Sequence, residues 1–214
     1  MVKQSGASTY SGSITGTGGV QKQGSGTLTL SSALSSFTGG LTFSSLNGDP
    51  GVIKVGNAGT TTTGPLGGAS NNIRTDSPSL STSGLLDLNG FALLTPVSLM
   101  QVPLTNTANA AASFSGAVSG FAFGNGLVTS VTTAVGSDIT LNGVISGNGT
   151  LKKYGVGTLT VTRANTYTGV TNVYAGNLNV TGTLADTTAL TVDSGATYTV
   201  SSNDTIGSIA GAGS

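Results

Sequence analysis

The sequence predicts an all-β fold, and within that class a parallel β-helix, on three observations. Short runs with every second residue apolar recur along the chain, among them Leu28/Leu30, Leu41/Phe43, Ile53/Val55, Leu159/Val161, Leu178/Val180, Leu190/Val192 and Tyr198/Val200. A two-residue period gives a strand one apolar face and one polar face. Glycine, 35 of 214 residues, punctuates these runs, and with Asn, Asp and Ser it supplies the turns between them. The punctuated unit also recurs within the chain, which is the mark of a stacked architecture. No segment carries an i, i+3, i+4, i+7 apolar stripe of helical length.

A two-sheet sandwich shares the first two features. The β-helix accounts better for the varied spacing between strands, because a coil carries irregular segments as extrusions. It also suits Asn and Thr at recurrent positions, which can form ladders between coils. Coils of roughly 20 residues stacked about 4.8 Å apart would give about ten coils and a rod of about 45 Å. One β-helical domain over residues 1–214 is therefore expected.

Composition narrows the function. Charged residues make up 7% of the chain, against roughly 25% in typical soluble domains. Seven basic and seven acidic residues cancel, and there is no Cys, His or Trp. No basic patch is available to hold phosphate, so nucleic-acid binding is not expected. Hydrophobic residues at 36% and a mean hydropathy of +0.22 argue against disorder. The apolar stretch Phe91–Leu104 is interrupted by Pro96 and Pro103 and is too short to span a bilayer. Met1-Val2-Lys3 opens no secretory signal, so any targeting segment is expected outside this chain.

Taken in order, Tyr10-Ser11-Gly12-Ser13-Ile14-Thr15-Gly16 begins a unit that reappears as Phe114-Ser115-Gly116-Ala117-Val118-Ser119-Gly120. With Ile14 set against Ile145, Gly16, Gly18, Lys22, Gly24, Gly26, Thr27, Leu28 and Thr29 fall on Gly147, Gly149, Lys153, Gly155, Gly157, Thr158, Leu159 and Thr160. After a slip of one residue, Phe37-Thr38-Gly39 meets Tyr167-Thr168-Gly169. Residues 10–43 and 141–180 are thus the best-matched units. Residues 56–78, with four consecutive threonines from Thr60 to Thr63, and 96–112 are expected to leave the coil as loop extrusions.

The words GNGTLKKYGVGTLTVTRANTYTGVTNVYAGNLNV at Gly147–Val180 and GTGGVQKQGSGTLTL at Gly16–Leu30 resemble the autotransporter-associated β-strand repeat, or passenger-associated transport repeat. LLDLNGF, Leu85–Phe91, and TIGSIAGAG, Thr205–Gly213, resemble that family's connecting phrases. The resemblance implies a right-handed parallel β-helix (solenoid) from a large secreted or surface-displayed bacterial protein, often an adhesin or stalk. It implies no catalytic residue, and the family's membrane translocator barrel has no counterpart here.

The two ends complement each other. Residues 205–214 begin a repeat, and residues 1–12 read as its continuation in a next unit. GAGS followed by MVKQ parallels Gly16–Gln23, with Met1 in the place of Val20 or Leu151 and Lys3 in that of Lys22 or Lys153. An uncapped β-helix exposes strand edges at both ends, which drives axial pairing. An axial stacking interface of Met1, Val2, Lys3, Ile206, Ile209, Gly211 and Gly213 is expected, joining identical units as tandem repeats or as a homopolymer. The alternative is an arbitrary fragment of a longer passenger.

Chemistry is sparsely represented. Asp186 and Asp204 are spaced to lie on successive coils, with Asp193 on another face, but a carboxylate pair needs supporting groups that this composition lacks. Turn-capping is the simpler role, as for Asp49 and Asp138. The glycine words close no phosphate loop, and no Gly/Asp nonapeptide run suggests calcium. Lys152, Lys153 and Arg163 form a basic cluster read as solvated strand faces. Tyr10, Phe37, Phe114 and Tyr167 recur before a Ser-Gly or Thr-Gly pair and are expected to plug the core. The sequence therefore predicts a structural, non-catalytic, cofactor-free segment of an extracellular fibre, stalk or surface adhesin. The alternative is an adhesin module whose loops contact glycan or a host surface.

Overall fold

A computed structural model of the chain describes residues 2–3, 5–44, 49, 51–76, 84–100, 102–120, 129–133 and 137–214. Their strands form three sheets in which the strand pairs are parallel, and the chain is a parallel β-helix. A seven-stranded sheet stacks Val2–Lys3, Val20–Gln23, Leu41–Phe43, Asn72–Thr75, Ser98–Met100, Val118–Gly120 and Ile145–Gly147. A ten-stranded sheet stacks Ser8–Tyr10, Thr27–Leu30, Val52–Val55, Leu85–Asp87, Leu104–Asn106, Thr129–Thr133, Leu151–Tyr154, Thr171–Val173, Ala189–Val192 and Ser208–Gly211. A six-stranded sheet stacks Ala92–Leu93, Ala112–Phe114, Ile139–Leu141, Thr158–Val161, Asn177–Val180 and Thr197–Val200.

The chain passes between these sheets in a changing rhythm. Up to Asp87 it alternates between the seven- and ten-stranded sheets, and from Ala92 to Val161 it visits all three. Beyond Thr171 it alternates between the ten- and six-stranded sheets. The sides that lack strands still bond from coil to coil. Ser36 N donates to Ile14 O at 2.9 Å and Thr38 N to Gly16 O at 3.1 Å, while Thr166 N donates to Ile145 O at 2.9 Å and Thr168 N to Gly147 O at 2.8 Å. A backbone group turned away from water needs such a partner, and a stacked coil provides one without a regular strand.

Three apolar ladders fill the interior, one from each sheet. Leu28, Ile53, Leu86 and Leu104 stand in register, as do Leu41, Ile73, Leu99, Val118 and Ile145, and Leu93, Phe114, Leu141, Val161 and Val180. All are buried. Each fully buried aliphatic side chain contributes roughly 1.5–3 kcal/mol through its removal from water. Phe37, Phe114 and Tyr167 join this core as the sequence predicts, while Tyr10, on the first strand of the ten-stranded sheet, is 46% exposed.

Coil length varies, from the short turn between Leu86 and Leu104 to the long one between Val52 and Leu85. The excess of the long coil begins at residue 56, where Thr60 N bonds Thr63 O at 2.6 Å and Leu66 is buried. Within the two segments expected as extrusions, however, Asn72–Thr75, Ser98–Met100 and Leu104–Asn106 are strands of the sheets. Prolines 96 and 103 flank the middle strand, and proline is tolerated where a strand starts or ends.

Candidate functional site

Each repeat is built around a glycine corner. Gly16 and Gly147 adopt φ of 102° and 101°, and Gly24 and Gly155 both adopt 77°. These angles lie in the left-handed region, where a side chain is strained. Equivalent glycines thus make equivalent corners, yet the corners sit on different sides of the coil. The first copy runs from the seven-stranded sheet, Val20–Gln23, to the ten-stranded sheet, Thr27–Leu30. The second runs from the ten-stranded sheet, Leu151–Tyr154, to the six-stranded sheet, Thr158–Val161. The motif is carried round by one side between its two copies.

Before each corner a lysine turns inward. Val20 and Lys22, like Leu151 and Lys153, are two residues apart on a strand and so share its inner face. Lys22 Nζ donates to Gln23 O at 3.0 Å and Gly24 O at 2.5 Å. Lys153 Nζ donates to the corresponding Tyr154 O at 2.9 Å and Gly155 O at 2.6 Å, and also to Ala175 O of the next coil at 3.0 Å. Three donors meet three carbonyls, which completes the capacity of an ammonium. Burial lowers the pKa of both amines, that of Lys153 from 10.5 to about 8, against the opposing pull of Asp138. Lys153 is 0% exposed, which corrects the expectation of a solvated Lys152–Lys153–Arg163 cluster. Lys152 is half-buried, and Arg163 is exposed, with Nε on Asn142 O at 2.9 Å.

A second polar group seals the coil after Leu85–Asp87. Asp87 is buried; its Oδ1 accepts from Asn89 N at 2.9 Å and Thr107 N at 3.0 Å, and its Oδ2 from Thr107 Oγ1 at 2.5 Å. Lys54 Nζ stands 3.4 Å from Oδ2. Asn106 continues the seal: Oδ1 accepts from Gly90 N at 2.8 Å, and Nδ2 donates to Ala110 O at 2.7 Å and Asp138 O at 3.2 Å. The sequence reading missed this group, although Asp and Asn beside Gly-rich turns are its usual signal.

Three of the carboxylates singled out in the sequence serve corners. Asp49 Oδ1 accepts from Gly51 N at 2.8 Å, Asp138 Oδ1 from Thr158 N at 2.7 Å, and Asp204 Oδ2 from Leu184 N at 3.1 Å. Asp186 and Asp193 are exposed. Among the described residues no three acidic side chains group where they could hold a metal ion. Among the described residues no helix is long and apolar enough to cross a membrane, which says nothing of a β-barrel.

The expected axial residues lie at opposite ends of the stack. Val2 pairs with Lys22 and Lys3 with Gln23 on the first strand of the seven-stranded sheet, while Met1 lies outside the described residues. Near that end Tyr10, Ile14, Val20, Leu28 and Leu30 line a recess of about 310 Å³. At the other end Ile209 pairs with Leu190 and is 62% exposed, and Ile206 packs partly against the core. Gly211 pairs with Val192 at φ 116°, where a Cβ would strike the Val192 carbonyl oxygen; Gly213 N donates to Val192 O at 3.0 Å.

Both glycine–lysine corners fall inside segments that match a family model, the passenger-associated-transport-repeat, over residues 20–45 and 151–180. These segments are passenger-associated transport repeats. The match stops short of the strands between them, where the coil carries no such corner word. The chain is also 31% identical over 171 residues to the adhesin BmaC autotransporter of Brucella suis biovar 1 (strain 1330). That alignment covers 79% of this chain and 4% of the relative, so the chain spans a small fraction of that protein's length. No solved structure matches the chain.

Proposed function

We propose that this chain is a structural, non-catalytic rod segment within the passenger of a bacterial surface adhesin, set in a head-to-tail array of further coils. The observation that carries the reading is the continuous ten-stranded parallel ladder, which among the described residues runs without a break from Ser8–Tyr10 to Ser208–Gly211. Passenger repeats and similarity to an adhesin autotransporter support a place at the cell surface. Met1, Val2 and Lys3 on one end would meet Ile206, Ile209, Gly211 and Gly213 of the preceding unit. The exposed Ile209 and the recess beside Tyr10 are the apolar surfaces that such a contact removes from water.

Two copies joined tail to head test the reading. Amide exchange at Ser208–Gly211 of the first copy should slow to the level of the interior strands, because the strand would gain a second neighbour. Unchanged exchange there, with two independent unfolding transitions, would refute axial stacking.

A further inference from the structure

Tyr154 ends one strand of the ten-stranded sheet and Tyr174 directly follows the next, Thr171–Val173, so that the pairing of Lys153 with Val173 sets the two side by side. The rings stack with centroids 4.6 Å apart and planes within 10°. The backbone around them is held closely: Tyr174 N donates to Lys153 O at 2.9 Å. The Lys153 ammonium bonds the carbonyls of Tyr154, Gly155 and Ala175, so one amine pins the chain beside both rings. Both tyrosines are partly open to solvent, whereas Tyr167 is buried. Tyr154 and Tyr174 are the one stacked aromatic pair among the described residues.

We infer that Tyr154 and Tyr174 form an oxidative modification site, at which a peroxide-driven one-electron oxidant couples the two phenols into a dityrosine across adjacent coils. Each phenol loses one electron and one proton. The two ring radicals join through their ortho carbons, and the two ortho hydrogens move to the phenolic oxygens, which restores aromaticity. One hydrogen peroxide is reduced to two waters for each carbon–carbon bond formed. Ring contact supplies the proximity that intermolecular coupling lacks, since reactants held in place avoid the entropy of encounter. Burial, together with the charge and hydrogen bond of Tyr174, holds Tyr154 above the ordinary tyrosine pKa. The product ties two coils covalently on the outer face of the stack.

The test is oxidation of the whole chain, dilute, with hydrogen peroxide and a haem peroxidase. Trypsin cuts after Lys153 and Arg163, which places Tyr154 in peptide 154–163 and Tyr174 in peptide 164–214. The expected product is monomeric protein with dityrosine fluorescence, yielding these two peptides joined and lighter by two hydrogen atoms than their sum. Y154F and Y174F should each lose that species, and Y10F should keep it. The phenylalanine variants preserve ring stacking, and their circular dichroism should match the parent. Dityrosine confined to covalent dimers through Tyr10, no dityrosine at all, or a 154–163/164–214 cross-link that survives Y174F would each overturn the assignment.

Discussion

An ammonium group inside an apolar coil is tolerated only if its donors are all taken, and Lys153 meets that condition with three carbonyls. The remaining desolvation is visible in its pKa of about 8, and it sets a pH dependence. Between about 8 and 10.5 the unfolded chain still binds the proton that folded Lys153 has released, so stability rises with pH across that window. Lys22, lowered by burial too, acts in the same sense. Tyrosines oppose it higher up. Tyr154, Tyr167 and Tyr198, the last pushed up to about 12, hold their protons where the unfolded chain begins to lose its own near 10.0. Urea midpoints measured against pH should climb from pH 8 toward 10 and fall beyond, and K153M should lose most of the climb. Asp87 provides a second residue-scale contrast. D87A strands the Asn89 and Thr107 amide donors, at about 1–3 kcal/mol for each buried group left unpaired. K54M removes only a partly exposed partner and should cost under about 1 kcal/mol, as a double-mutant cycle of the two would reveal.

The corner, rather than the strand, is the conserved element between the two repeat copies in this chain. Gly24 and Gly155 share a φ of 77°, so G24A and G155A should each destabilise the fold by about 1–2 kcal/mol and by similar amounts, measured by chemical denaturation. Such corners were readable because glycine and the two-residue alternation are local signals. The inward lysines were readable in principle, since Leu151 and Lys153 stand in the same phase of one strand. Charge argues against phase at these positions, and it is usually the better guide because an isolated amine is so costly to bury. Asp87 and Asn106 were harder to foresee. Their partners come from Thr107, Gly90 and Asp138, and nothing local announces which coil will stack against them. For the same reason Ser98–Met100 and Leu104–Asn106 do not announce themselves as strands: each is three residues long, and prolines 96 and 103 obscure their alternation.

Across the whole molecule, cohesion comes from backbone ladders and an aliphatic interior, with little contribution from charge. The sequence carries seven charges of each sign, and Lys54 and Asp87 form an ion pair. Exposed ion pairs and long-range charge interactions are what simple salt screens. The thermal midpoint should therefore stay nearly constant as sodium chloride is raised from dilute to high concentration; a steep drop would show that electrostatics matter more than the ladders do.

The rotation of the repeat by one side between its copies has a bearing on how such rods lengthen. A motif defined by a corner carries no angular address, so a new copy need not arrive in whole turns to find a seat. Insertion of a strand and its corner advances the winding by one side and still leaves every backbone edge facing another. The smallest increment of growth is then a fraction of a coil, and the side on which a given surface feature emerges becomes a record of how many such increments preceded it.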